Sequence, residues 1–253
     1  MTHARSGRRV RLTAIAAGVA VVIAATSGAL AQDISVNFAQ GAGLNERIIQ
    51  LIALLTVLSL APSILIMMTS FTRIVVVLSL LRTALGTATA PPNAVIISLA
   101  LFLTAFVMGP ALQRTYETGI RPLINNEITA EQAFERGSGP LREFMQKNVR
   151  EKDLKLFMDL SGEPPPATPE QMSMRILVPA FMISELKRAF EIGFLLFLPF
   201  LIIDLVVASV LMSMGMMMLP PVVVSLPFKL IFFVLVDGWS LVAGSLIQSY
   251  GSG

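Results

Sequence analysis

The chain has no cysteine, and its single histidine, His3, stands at the extreme N-terminus. Without thiols there is no disulfide, no cysteine nucleophile and no zinc–cysteine site. His3 lies in a segment read below as a removable leader, so the mature chain also lacks a histidine triad and a histidine metal centre. Most hydrolase chemistries are thereby excluded, and no catalytic residue, cofactor or metal is expected. Charge is scarce as well. Asp, Glu, Lys and Arg make up 14% of the residues, against about a quarter in soluble domains. With 55% hydrophobic residues and a mean hydropathy of +0.75, the composition is that of a membrane protein.

The pI near 9.6 misleads. Residues 1–31 carry Arg5, Arg8, Arg9 and Arg11, then an apolar run from Leu12 to Ala25, then Ala29-Leu30-Ala31. A basic start, a short apolar core and an A-x-A site together describe a secretory signal peptide cut between Ala31 and Gln32. Arg8-Arg9 fits a twin-arginine signal poorly. Removing four positive charges turns the formal +3 into −1 for residues 32–253, so the basicity gives no reason to expect nucleic acid as a partner.

Residues 32–47 form a short N-terminal segment. Residues 48–113 follow as a first membrane helix pair, because Ile48–Thr72 and Thr83–Gln113 are uncharged runs of 25 and 31 residues, with only Arg73 and Arg82 charged between Arg47 and Arg114. Each run exceeds the roughly 20 residues a helix needs to cross a bilayer. Pro91-Pro92-Asn93 marks where a helix begins. Residues 114–191 differ in character, with 11 basic and 12 acidic residues. In this stretch Leu141, Phe144, Met145 and Val149, then Leu154, Phe157 and Met158, recur at helical spacing, as in an amphipathic helix pair. Ser161–Pro169 holds four prolines and is expected as a loop. Residues 192–250 form a second helix hairpin, Ile192–Leu211 and Val222–Ile247, charged only at Asp204, Lys229 and Asp237. The expected fold is all-α: apolar helical hairpins plus a small helical domain. If every segment spans, Arg73 and Arg82 fall in an inner connection, as the positive-inside rule favours. The 114–191 domain is then periplasmic and the turn near residue 216 faces inward. Prolines 62, 110, 199 and 227 argue against four simple spans.

That turn, Met212–Pro221, gathers Met212, Met214, Met216, Met217 and Met218 before a proline pair. Unbranched thioethers adapt to irregular shapes without a fixed fit. Either the turn is merely apolar, or it is a compliant seal in a membrane pore. Charges at the bilayer centre cost about 2.5–3.5 kcal/mol on insertion scales. Lys229 therefore either pairs with Asp204 or Asp237 to fix the hairpin register, or joins them in an ion or proton relay. Glu185–Glu191 is a solvated collar or a source of inter-subunit salt bridges through Glu185. Phe144 and Phe157 are core residues of the small domain or contacts between copies.

Several motifs in order resemble one family. Met68-Thr-Ser-Phe-Thr-Arg73, Leu80-Leu-Arg82-Thr-Ala-Leu-Gly-Thr87 and Ala90-Pro-Pro-Asn93 are similar to the FliP family of flagellar type III export-gate proteins. So are Pro140-Leu-Arg-Glu-Phe-Met145, Met174-Arg-Ile-Leu-Val-Pro-Ala180, Ser184-Glu-Leu-Lys187, Phe190-Glu-Ile-Gly193 and Pro199-Phe-Leu-Ile-Ile-Asp204. Gly215-Met-Met-Met218, Pro220-Pro221, Leu226-Pro-Phe-Lys229 and Val236-Asp-Gly-Trp239 complete the match, which covers nearly all of residues 48–250. The resemblance implies a core subunit that forms a pentamer-like ring with itself and joins FliQ and FliR in a ring-like helical channel for unfolded flagellar subunits. FlhA and FlhB are implied neighbours, in the inner membrane at the flagellar basal body. It implies too that Met216, Met217 and Met218 are the seal, with Met212 and Met214 supporting, and that the assembly rises largely above the bilayer. The injectisome gate of virulence secretion is the nearest alternative, although its members generally lack a signal peptide. An ion-coupled carrier using Asp204, Lys229 and Asp237 is a third. N-terminal sequencing of the mature protein is expected to begin at Gln32, and an intact Met1 contradicts the leader.

Overall fold

The computed structural model of the chain describes residues 44–87, 89–162, 168, 171–216 and 218–251. The leader, the Ala31–Gln32 junction, Met217 and most of the proline-rich stretch after Gly162 lie outside the described residues. Among the described residues every regular element is helical. They divide into two units between Val57 and Leu58. Helix α1 (Leu44–Met67) opens in the first unit; all that follows concerns the second.

A break at residues 68–70 separates α1 from α2 (Phe71–Leu85), which ends at Gly86 in the left-handed region (φ 77°). The helix α3 (Asn93–Thr115) begins at the residue the Pro-Pro-Asn motif indicates. It runs into a π-helical turn (Tyr116–Ile120) and the short α4 (Arg121–Ile124). Helices α5 (Ala130–Asn148) and α6 (Glu151–Ser161) are the amphipathic pair. Thr129 and Gln132 cap α5 reciprocally, each backbone N–H donating to the other's side chain at 3.3 Å, which satisfies two otherwise orphaned groups. Then comes α7 (Met174–Ser213), with 40 residues, followed by α8 (Pro221–Leu235) and α9 (Gly238–Gly251).

Two apolar cores hold these helices. In α2, Ile74, Val77, Leu78, Leu81, Ala84 and Leu85 are buried on one helical face, at the i, i+3, i+4, i+7 spacing continued by one turn. This stripe meets Ile96 and Ala100 of α3, Ala189 and Phe200 of α7, Phe233 of α8, and Val242 and Leu246 of α9. At Gly193 of α7 the Leu80 side chain occupies the space a Cβ would need. The second core joins Met108 and Ala111 of α3, Leu141 and Met145 of α5, and Ile176, Leu177 and Phe181 of α7.

Composition and backbone part company at two places. The boundary expected at 191/192 falls inside α7, because losing charged residues does not interrupt the i→i−4 hydrogen bonds. The segment expected as one helix from Val222 to Ile247 is instead α8 and α9, bent by 63°. Asp237 there takes φ 51°, a conformation Asp tolerates better than most residues. Gly238 follows because the Phe233 ring fills the position of a Cβ. Among the described residues, two helical stretches are long and apolar enough to cross a membrane, Asn93–Ile124 and Met174–Ser213, and the bent pair would make a third.

The π-helical turn sits backbone to backbone on α5. A Cβ on Gly119 would stand 2.8 Å from the Ala133 carbonyl oxygen and 2.9 Å from Gly137 Cα. Pro140 cannot donate to the carbonyl of Arg136 four residues earlier; the Thr118 hydroxyl, which donates to Arg114 at 2.8 Å, lies 3.4 Å from that carbonyl, and Thr115 donates to Gly137 at 3.0 Å. Gly119→Ala is expected to destabilise by about 1–3 kcal/mol through overpacking against main chain that cannot give way. Gly244, also helical but with nothing within 4 Å of its would-be Cβ, is expected to gain about 0.5–1 kcal/mol on substitution by Ala. Thermal unfolding of the two variants in detergent checks the opposite signs.

Candidate functional site

Helix α7 ends in an arrangement that presents its methionines outward. The Gly215 N–H donates to Met212 at 3.1 Å and the Met216 N–H to Leu211 at 3.0 Å. These two bonds close a helix around one left-handed residue, and Gly215 supplies it with φ 75° without a Cβ to clash. On the far side, Pro220 is extended and Pro221 opens α8, where its missing N–H costs nothing. The tip between them is therefore set by backbone geometry from both ends. Met212, Met214 and Met216 are 59%, 62% and 43% exposed, and Met218 is 99% exposed. None of these four fills a gap in this chain's own core. Met217 lies outside the described residues.

Below the tip, one buried cation ties three helices. Lys229 is 3% exposed. Its ammonium donates to Asp204 Oδ2 of α7 at 2.6 Å and to the Ala84 carbonyl in the last turn of α2 at 3.2 Å. Ser225, one turn earlier on the same face of α8, donates its hydroxyl to the other Asp204 oxygen. Of the two carboxylates the sequence offered to Lys229, Asp204 is the one it meets. Asp237 stands apart. It is exposed at the α8–α9 bend and makes no ion pair among the described residues.

A second buried cluster was not legible as such. Arg73 of α2 and Glu185 of α7 are both fully buried. Arg73 Nε donates to Glu185 Oε2 at 2.9 Å, and a second guanidinium N–H donates to Oε1, the two-pronged match that suits arginine to a carboxylate. Arg73 also donates to the Ser249 hydroxyl at 2.9 Å, and its guanidinium carbon lies 3.8 Å from the Tyr250 ring centre. The Tyr250 hydroxyl donates to Glu185. Glu185 is therefore not at the surface for a salt bridge to another copy, because its carboxylate is engaged inside the chain, and Arg73, expected in a connection between two apolar runs, is a buried residue of α2. The available signal was that an arginine flanked by apolar helix needs a buried partner. Next to Glu185, Ser184 donates to Asp153 of α6 at 2.7 Å and accepts the Arg150 N–H at 3.1 Å.

Phe144 and Phe157 are half-buried and pack on the second core. Phe144 stacks on Tyr250 with ring centres 5.8 Å apart and meets Phe181 edge-on at 5.9 Å. Both rings thus have partners within the chain.

Comparison with known proteins converges on one group. The sequence model of the FliP family matches residues 54–246. The flagellar biosynthetic protein FliP of Caulobacter vibrioides is 59% identical over 246 residues, covering 97% of this chain and 92% of its own. The proteins of that name from Bacillus subtilis and Aquifex aeolicus are 55% and 53% identical over 202 and 204 residues, covering 80% of this chain and 91% and 85% of their own.

Removing one member of the buried pair leaves an uncompensated charge. Arg73→Ala and Glu185→Ala are each expected to cost about 3–5 kcal/mol, read as loss of monodisperse protein in mild detergent. The double variant Arg73→Met/Glu185→Leu is expected to recover most of the yield of folded protein.

Proposed function

The chain belongs to the FliP family, and from that membership we propose that it is a core subunit of the flagellar type III protein export gate. In this reading it is a structural membrane protein rather than an enzyme, seated in the bacterial inner membrane at the flagellar basal body. Several copies form a pentamer-like ring and, with FliQ and FliR, enclose the channel through which unfolded flagellar subunits leave the cytoplasm. FlhA and FlhB stand beside it, and residues 114–191 face the periplasm. The flagellar names of its relatives favour this gate over the injectisome one. Lys229 is already neutralised by Asp204 within the chain, which leaves the ion-coupled carrier reading less to work with.

The observation that carries the proposal is the methionine tip. Four methionines at the end of an apolar hairpin are exposed, Met218 almost completely, and the backbone that presents them is fixed by the Gly215 turn and the two prolines. Copies that bring these tips to a shared axis close the lumen with thioethers. A passing chain of any sequence displaces them at small cost, since methionine has three rotatable bonds and no branched shape to match. Ions are excluded because a ring of apolar side chains offers them no replacement for water. Leu205, Val206, Val222 and Val223 on the hairpin arms are also exposed. Apolar surface on this scale fits burial against neighbouring subunits or lipid.

The test uses the full chain co-expressed with FliQ and FliR. Replacing Met216, Met217 and Met218 together by Gly is expected to leave the complex assembled while raising the leak of small ions across the membrane. An assembled variant that stays ion-tight in electrophysiological recording rejects the seal.

A further inference from the structure

We propose that Asp204, Ser225 and Lys229 form a positioning site that holds the methionine tip at a fixed place relative to the end of α2. The inference rests on the reading of the tip as a seal and adds the residues that aim it.

The geometry is specific. Asp204 uses both carboxylate oxygens on α8, one for Lys229 and one for Ser225, so α8 is held at two points one helical turn apart by a single side chain of α7. Two attachment points fix rotation as well as distance, which one salt bridge on flexible stems does not. Lys229 then reaches past the hairpin to the Ala84 carbonyl. That carbonyl is among the last four of α2, which have no partner within the helix, and a cation suits the negative end of the helix dipole. Close packing seals the junction: a Cβ on Gly86 would stand 3.5 Å from Leu226 and 3.9 Å from Lys229 Nζ. The α2 stripe is itself part of the main core, so the tie connects the hairpin to the most buried element of the chain.

Beyond this junction the hairpin has little else to hold it. An open apolar groove of about 480 Å³ separates its arms, lined by Val206, Val207, Val210, Val224 and Phe228 among others. Gly215 is eleven residues past Asp204, about 16 Å along a helix at 1.5 Å per residue. A tilt of about 10° at the junction therefore moves the tip by about 3 Å over that lever arm, close to the diameter of a water molecule. A seal made of soft side chains tolerates small local rearrangements, yet it fails if one hairpin swings away by a water's width. The buried ion pair is placed where it limits that swing.

The experiment compares variants of the full chain assembled with FliQ and FliR, scoring recovered complex, thermal stability and small-ion leak. Lys229→Met and Asp204→Asn are expected to assemble and to raise the leak about tenfold, the population shift produced by losing a tie of ~1.4 kcal/mol. Lys229→Arg, which keeps the charge and a donor for both oxygens, is expected to return the leak towards the unmodified level. If Lys229→Met fails to assemble, Ser225→Ala decides, since it deletes one hydroxyl bond: a raised leak supports the positioning role and a tight complex overturns it. If Lys229→Met and Asp204→Asn assemble and stay tight while the Met216–Met218 glycine variant leaks, the positioning site is refuted and the seal stands. If the glycine variant is also tight, the seal itself is refuted.

Discussion

The Arg73–Glu185 pair ties helices that lie 112 residues apart in sequence, and the arrangement of the main core follows from it. Two charges withdrawn from water cost several kcal/mol each unless their geometry and remaining hydrogen bonds are satisfied. Here the carboxylate takes two guanidinium N–H groups and the Tyr250 hydroxyl, and the guanidinium adds Ser249 and the Tyr250 ring. The pair is satisfied only when α2, α7 and α9 are all in place. An apolar contact between the same helices would tolerate sliding by one turn, because one leucine ridge resembles the next. A bidentate ion pair does not. It fixes register in a protein whose helices are otherwise nearly uniform in their apolar character.

The same logic explains where the chain is uncovered. One face of α7 carries Ser184, Glu185, Ala189 and Gly193 against neighbours in their own chain, whereas Phe190, Phe194, Leu195, Leu201, Ile202, Leu205 and Val206 along the same helix are exposed. The 40 residues of α7 amount to about 60 Å at 1.5 Å per residue, twice the ~30 Å hydrocarbon thickness of a bilayer. A helix of that length serves two environments: one face is a clamp inside the chain, and the other leaves apolar side chains uncovered by it.

What the sequence made legible was periodic or conformationally constrained. The α5–α6 pair followed from the spacing of Leu141, Met145, Leu154 and Met158, and the start of α3 from a proline pair before Asn93. The turn at 214–220 followed from glycine and proline bracketing methionines. Charge next to apolar sequence proved harder to place. Arg73 was placed in a connection because it is a basic residue between two apolar runs; its partner Glu185 lies too far along the chain for any local pattern to signal. Asp237 was taken as a charge within a helix, though Asp-Gly is a turn signal, and the structure uses it as one. Lys229 and Asp204 could be named as a pair, whereas the third participant, a backbone carbonyl of Ala84, has no signature in side-chain sequence at all.

In the proposed gate, rigid support and soft closure are complementary requirements, and the two halves of the hairpin would divide them. A tip of branched residues would seal well in one arrangement and then resist a passing chain, because branched side chains have few rotamers and pack by shape. A tip of methionines on a loose hairpin would yield readily and close poorly. The chain places its methionines beyond a helix end whose backbone is set by Gly215 and Pro221, and it places a half-buried carboxylate, bonded through both oxygens, beneath them. Softness is confined to the thioethers, so each opening deforms side chains while the helices that carry them keep their register. That division also accounts for two isolated charges persisting in so apolar a segment: at the tip they would hydrate the lumen, and at the base they order it.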